Sequence, residues 1–303
     1  AFTPGAIASL EAGMTEVAEE LVSQCGRASD IELLNDFSYP YLSRIIGRII
    51  GFEPAVYPQI KQWLDTLAFV RPAPPSFEMQ EKIRSSQARM VERSRKLVVE
   101  RRERPRDDLV SRFVHAEVDG EKLTEMECIS MLNLLIGAGF ETTVNLLTNA
   151  VRQLSAMPGL MAELYTAPHR IEAFIDEVLR FDPPTHALLR QVSEDVSFGG
   201  VDLAAGTNVF LLIGSACRDP EVYREPDRFD IDREQGSELL AFGFGAHACV
   251  GRLLARLEAT VAIRAFVDAC ARVWCPPASE LDWKTHLVSR GVNALPVQLQ
   301  GRG

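Results

Sequence analysis

The chain has 303 residues, 47% of them hydrophobic and 24% charged, with a formal net charge of −10. This is the composition of a globular protein with a sizeable core, and its acidic balance sets aside a nucleic-acid backbone as partner. No apolar run reaches the roughly 18 residues of a membrane span, because Arg44 and Arg48 interrupt the most apolar early stretch, and six cysteines without paired spacing read as reduced thiols of a cytoplasmic protein. In chain order, apolar periodicity predicts a helix over 5–24 and another over 31–50, the second with Asp30 as its N-cap. A helix over 55–70 follows, then a joint at Pro72, Pro74 and Pro75, then a charged helix over 76–104. The run from Arg101 to Arg106 invites a nucleic-acid reading, but a solvated helix end near the C-terminal dipole accounts for it.

Asp107-Asp108 open a further short helix, Asp119-Gly120 form a turn, and Thr124 through Glu127 give a capped, acidic helix start. The helix that follows, to about Ala156, is apolar all round and is predicted to be central and buried. Another covers 168–181 and stops at Pro183-Pro184. Residues 188–213 alternate as short strands around Gly199-Gly200 and Ala205-Gly206, a loop runs to 240, a helix covers 250–273, and strand pairs close the chain over 284–300. The order predicts a mainly α fold with small β-sheets in one domain, 1–303, helical over 1–185 and mixed over 186–303.

The segment Phe242-Gly243-Phe244-Gly245-Ala246-His247-Ala248-Cys249-Val250-Gly251 carries the chemistry. Its three glycines let backbone turn tightly and approach a flat ligand. Cys249 falls at a helix start, where free N–H groups favour a thiolate able to act as nucleophile or metal ligand. The plain alternative is a cysteine filling space at a helix start. Zinc is disfavoured, since only His247 is near and no second Cys or His pair stands at zinc spacing. A Cys–His hydrolase stays open on these residues alone.

These ten residues resemble the cysteine-ligand loop of the haem-thiolate monooxygenases, the cytochrome P-450 superfamily, at Phe242, Gly245, Cys249 and Gly251, and its bacterial soluble members at Gly243 and His247. Ala138-Gly139-Phe140-Glu141-Thr142-Thr143 is similar to the family's oxygen-binding helix segment. There the small residues suit a flat cofactor lying close, and Thr142 can bond back to the carbonyl of Ala138. Glu177-Val178-Leu179-Arg180 fits the family's Glu-x-x-Arg pair; five other such quartets exist, but this one lies on an apolar helix that runs into a proline turn. Asp227-Arg228-Phe229 resembles the loop whose arginine completes that pair as a buried network. Leu188-Leu189-Arg190 is similar to the strand that borders the haem. Arg218-Asp219-Pro220 matches a common family tripeptide, with Cys217 in place of the usual asparagine as a core substitute.

The resemblance implies a cytochrome P-450 fold, N-terminally incomplete, over a single domain whose part 186–303 binds haem. It implies haem b with Cys249 as axial iron ligand, His247 and Arg190 on the propionates, and Ala138, Gly139, Phe242, Gly243 and Gly251 against the cofactor. Thr142, with Glu141 behind it, would deliver protons. Glu177, Arg180 and Arg228 would form the structural network, and Leu134, Leu135, Ala187, Leu188 and Val292 a mostly apolar pocket. The implied activity inserts one oxygen atom from O2 into a lipophilic small molecule, with electrons from NAD(P)H through a ferredoxin- or flavodoxin-type donor. Arg252 and Arg256, with Arg218 and Arg224 nearby, are expected to form a basic patch that docks this acidic carrier.

The chain opens on Ala1-Phe2-Thr3-Pro4 without a methionine, and the resemblance begins after the family's N-terminal sheet, first helices and substrate loop. The expectation is therefore a remainder of a longer protein, which by itself leaves a haem edge open and holds haem weakly. That start motivates one alternative, a family-like binding or helper protein that is no longer an oxygenase. Cys249, Thr142 and Glu141, all in place, argue against it, because a helper needs none of them.

Overall fold

The computed structural model describes residues 3–67, 76–118, 120–233 and 239–302. The helix predicted over 5–24 is two, α1 (Pro4–Ala8) and α2 (Glu11–Gly26), broken at Ser9 and Leu10. Asp30 is no N-cap. It lies in β1 (Asp30–Glu32), which pairs antiparallel with residues near the C-terminus, Asp30 opposite Gln298. Glu32 does the capping instead: its carboxylate accepts the N–H groups of Leu34 and Asn35, and that of Leu295 from the far end of the chain. A π-helical run, Leu34–Ser38, leads into α3 (Tyr39–Ile50).

α4 (Tyr57–Leu67) follows, and the proline joint at 72–75 lies outside the described residues. α5 (Phe77–Glu103) starts at Ser76, whose hydroxyl accepts the N–H of Met79. Arg102, Arg104 and Arg106 are exposed, as a solvated helix end requires, but Arg101 is not. It is buried, bonded through Nε to Asp108 and through Nη2 to the carbonyl of Gly51 at 2.9 Å. Gly51 ends α3 at φ +96°, and a Cβ there would collide with the Asp108 carboxylate, so this joint requires glycine twice over.

Asp108 also caps α6 (Leu109–Val114) through the N–H of Ser111. A small hairpin of β2 (Glu117–Val118) and β3 (Glu121–Lys122) precedes α7 (Glu125–Ala156), with Gly120 at φ +82°; Asp119 lies outside the described residues. The capping box predicted at Thr124 is present, Thr124 and Glu127 each satisfying the other's N–H. α8 (Pro158–Thr166), which periodicity does not separate from its neighbours, precedes α9 (Ile171–Phe181).

The alternating stretch forms four strands, β4 (Leu188–Gln191), β5 (Val196–Phe198), β6 (Val201–Leu203) and β7 (Asn208–Leu211), paired as β4–β7 and β5–β6. α10 (Ile213–Ala216) and a long loop lead to α11 (Arg252–Ala269). The last helix is shorter than predicted, because 270–274 leave it as β8 (Cys270–Trp274), which pairs with β9 (Pro296–Gly301). Between β8 and β9 the tail holds a 3-10 turn (Ala278–Glu280) and the isolated bridges Thr185–Ser289 and Trp283–Val292. The architecture is mainly α with small sheets, as predicted.

α7 is the central helix, buried along Val144, Leu147, Ala150, Val151 and Leu154. α11 packs on it and on α2 and α9 through Ala259, Ala262, Ile263 and Phe266. Each fully buried Leu, Ile or Phe contributes about 1.5–3 kcal/mol of transfer free energy. α3 closes the layer: Phe37 just before it meets Phe266 edge-on at 4.7 Å, and the Tyr41 hydroxyl donates to the carbonyl of Glu258 at 3.0 Å. This clamps α3, α7 and α11 around one end of the cleft described next.

Candidate functional site

The cysteine loop is shaped by its glycines. Gly243 and Gly245 adopt φ +70° and +72°, which side chains other than glycine's resist. The turn is closed by the Cys249 N–H donating to the Phe242 carbonyl at 2.8 Å and by that of Ala248 donating to Gly245 at 3.0 Å. α11 then starts at Gly251 without a side-chain cap, which leaves N–H groups facing the sulfur, and the Gly251 N–H bonds it. Of the six cysteines, Cys249 is exposed and the other five are buried.

Opposite the loop, α7 presents Leu135, Ala138, Gly139, Thr142, Thr143 and Leu146, a stripe at i, i+3, i+4, i+7 spacing. Between them lies a cleft of about 290 Å³, walled also by Ile46, Ile49 and Ile50 of α3, Leu188 of β4, and Leu254 and Ala255 of α11. At Gly139 a Cβ would make no more than an ordinary contact, 4.0 Å from Ile46. Thr142 donates to the Ala138 carbonyl at 2.7 Å, the back-bond expected of it, and α7 runs on unbroken.

Ten of the residues picked from sequence therefore come together: Leu135, Ala138, Gly139, Thr142, Leu188, Phe242, Gly243, His247, Cys249 and Gly251 all line this cleft. Others do not. Leu134 is turned out on α7 and 67% exposed, whereas Ala187 and Val292 are buried in the packing behind the cleft. Arg190 lies on the same face of β4 as Leu188 but outside the lining, its guanidinium folded onto the Leu189 carbonyl at 2.9 Å. Glu141 stands beside Thr142, ion-paired with Lys284 at 3.3 Å, a partner 143 residues away that no local pattern reveals.

Two further corrections concern arginines. Arg180 and Glu177 are both fully buried and bidentate, at 2.7 and 2.8 Å. Arg180 also donates to the carbonyls of Cys217, Pro226 and Arg228. The side chain that completes the network is not that of Arg228, which is 64% exposed, but that of Arg233. It reaches Glu177 at 3.5 Å and also donates to the carbonyls of Arg224, Glu225 and Arg228. The Asp230 N–H adds a bond to Glu177 at 2.8 Å. Cys217 is buried and contributes its carbonyl. The expected basic patch is largely neutralised as well. Arg256 pairs with Asp176, and Arg218 pairs with Asp227 while stacking on Phe181, which leaves Arg224 and Arg252 exposed.

The cleft is walled mostly by apolar side chains. Burial pushes the Cys249 thiol up more than the Gly251 N–H and Arg252 pull it down, so the helix start does not by itself make a thiolate. A bound cation would, since a coordinating thiol is deprotonated outright. Among the described residues no three His, Cys, Asp or Glu gather as a metal site. A metal on Cys249 must then bring donors of its own. Flat apolar walls, one soft sulfur and glycines on both faces fit an iron porphyrin. Sequence reasoning missed Glu258 of α11, a lining residue whose carboxyl is pushed up to about 8 by burial, partly offset by the Thr143 hydroxyl. The signal was available: it is a lone acid on the buried face of an apolar helix.

Comparison with known proteins agrees with the geometry. Residues 58–286 match the model of the family described as Cytochrome P450. The chain is similar to cytochrome P450 107B1 of Saccharopolyspora erythraea, 34% identical over 98% of this chain and 72% of the relative. Among solved structures it is similar to the bacillaene polyketide synthase cytochrome P450 PksS of Bacillus subtilis, with a TM-score of 0.92 and 31% identity over 99% of this chain and 76% of that one. It is likewise similar to CYP109E1 of Bacillus megaterium in complex with corticosterone, with a TM-score of 0.90 and 31% identity over 98% and 80%.

Proposed function

The chain belongs to the cytochrome P450 family, and from that premise we propose that Cys249 is the axial ligand of its haem and that the facing stripe of α7 is the reaction side of the cleft. It is a haem-dependent monooxygenase: one atom of O2 enters a lipophilic small molecule, with electrons from NAD(P)H through a ferredoxin- or flavodoxin-type carrier. Bound haem b supplies dioxygen activation, with a cysteine thiolate pushing electron density toward its iron.

The remaining work falls to the chain. Ala138 and Gly139 keep the α7 wall flat, while Phe242, Gly243 and Gly251 shape the opposite wall. His247 and Arg190 are the side chains that would meet carboxylates at the cleft edge; Arg190 reaches them once its guanidinium leaves the Leu189 carbonyl. Thr142 holds its hydroxyl proton on Ala138 and redirects it into the cleft, and Glu141, ion-paired with Lys284 at rest, takes up a proton from solvent and passes it to Thr142. Leu135 and Leu188 exclude water around an apolar substrate. Residues 1–303 act as one monooxygenase domain. It resides in the cytoplasm, a placement supported by six cysteines outside any disulfide. Among the described residues, no helix is long and apolar enough to cross a membrane.

A single observation carries this reading: the one exposed cysteine sits on the floor of an apolar cleft, opposite a stripe of small residues and threonine. Thiol alkylation mapped by mass spectrometry tests it. Cys249 should be the rapidly labelled thiol of the haem-free protein and should be protected in the haem-loaded one. Equal labelling of Cys249 in both contradicts the assignment.

A further inference from the structure

The cleft is open at one end and closed at the other. Around the cysteine loop its lining reaches solvent: Cys249 is exposed and Val250 is 62% exposed. Toward α3 and α6 the lining is withdrawn, with Ile46 at 6%, Ile50 at 2% and Leu109 at 6% exposure. Together with the half-buried Ile49, these are the side chains that α3 and α6 give to the cleft among the described residues, and all four are aliphatic. α7 contributes Leu135 and Gly139 beside them. Outside its own helix, a Cβ built on Gly139 would meet one atom, Cδ1 of Ile46 at 4.0 Å, so α7 and α3 do not fill the space between them there.

Such a blind end suits one kind of occupant. Its four aliphatic side chains give a water molecule no hydrogen-bond partner, and cavities of that character stay dry and take up xenon. One turn further along α7, the Thr143 hydroxyl is engaged with the Glu258 carboxyl at 3.3 Å and with the Gly139 carbonyl at 2.9 Å. A charged or strongly hydrated molecule would lose its water there without replacement. The reaction of this chain consumes a small, uncharged, apolar gas, O2, for which leaving water is favourable. The larger substrate has the open end, beside Leu188 and Thr185.

We propose that the blind end between α3, α6 and α7 is a docking site for dioxygen, separate from the substrate's place beside Leu188, and that Gly139 is the gap through which the gas passes to the reaction side. The proposal rests on the monooxygenase reading above. No bond forms or breaks in the docking: Ile46, Ile49, Ile50 and Leu109 hold the molecule by dispersion contacts alone. The missing side chain at residue 139 keeps the site continuous with the rest of the cleft. With substrate across the open end, gas already docked stays within reach of the reaction side.

The test uses the haem-loaded protein, with xenon and carbon monoxide as probes. Crystals under xenon pressure should show the atom between Ile46, Ile50, Leu109 and Gly139. Carbon monoxide released from the iron by a flash should dock in the same place, giving a fast rebinding phase that does not depend on its concentration in solution. Xenon at about twice its dissociation constant leaves about a third of the sites empty and should cut that phase about threefold. Ile46→Phe, which fills the blind end, should remove the phase without xenon and leave the thiolate-type haem spectrum in place. The xenon measurements need no variant, which keeps the test decisive if Ile46→Phe fails to fold. A parent with that spectrum whose blind end holds ordered water or nothing under xenon, or whose fast phase is indifferent to xenon, overturns the proposal alone, as does a folded Ile46→Phe that keeps the phase. A parent without that spectrum overturns the reading of the site and the proposal with it.

Discussion

Two glutamates are withdrawn from water on helices that pack together, Glu177 on α9 and Glu258 on α11, and they are provisioned in opposite ways. Glu177 meets Arg180, Arg233 and the N–H of Asp230, so both its oxygens are engaged by donors, two of them cationic. Glu258 meets one threonine hydroxyl. An ion taken out of water loses several kcal/mol of hydration, which only a full set of partners repays. The paired site therefore fixes the loop 226–233 on α9, while burial favours the proton on the unpaired one. The first holds a loop on its helix; the second lines the cleft without a counter-ion.

Breaking the paired side should have the largest effect. Arg180→Ala leaves the Glu177 charge buried without its bidentate partner and should cost about 3–5 kcal/mol in urea unfolding. Replacing both members, Glu177→Gln with Arg180→Met, should cost less than Arg180→Ala alone, since no buried ion is then left unpaired. Next in size, Arg233→Ala should cost about 1–3 kcal/mol, because it strips donors from Glu177 and three carbonyls. Arg228→Ala, which removes an exposed side chain, should stay within about 0.5 kcal/mol. Equal losses at the two positions would return the network to Arg228.

The unpaired side makes a pH prediction with the opposite sign from an ordinary paired carboxylate. Glu258 titrates near 8 in the fold against an ordinary 4.5, so between these values the folded chain holds a proton that the unfolded chain has lost. Its contribution to stability is full below about 4.5 and is lost as pH rises toward 8. Within that window the slope should approach about 1.4 kcal/mol per pH unit. Unfolding free energies of the parent minus those of Glu258→Gln, measured across the window, should decline by that slope. A flat difference would mean that Glu258 is not held un-ionised.

The features legible from sequence were those fixed by near neighbours. Gly243, Gly245 and Cys249 announce their loop because positive φ and the start of a helix are local demands. Thr124 and Glu127 announce α7 for the same reason. The misreadings were made by distant partners. Asp30 looks like a helix cap until Gln298, far along the chain, makes it a strand residue. Arg101 looks solvated until Gly51 and Asp108 close over it. Arg228 and Arg233 stand five residues apart in one arginine-containing loop, and only the path of that loop over α9 decides which side chain turns in. Lys284 joins the site from the far end of the chain, where no spacing rule points to it.

The central claim is that the sulfur of Cys249 is the haem ligand, and the spectrum of the reduced, carbon-monoxide-bound protein tests it most directly. The parent should show the red-shifted Soret band of thiolate ligation, and Cys249→Ser should lose that band while keeping its helical circular dichroism. A Cys249→Ser protein that retains the parent's band would contradict the assignment.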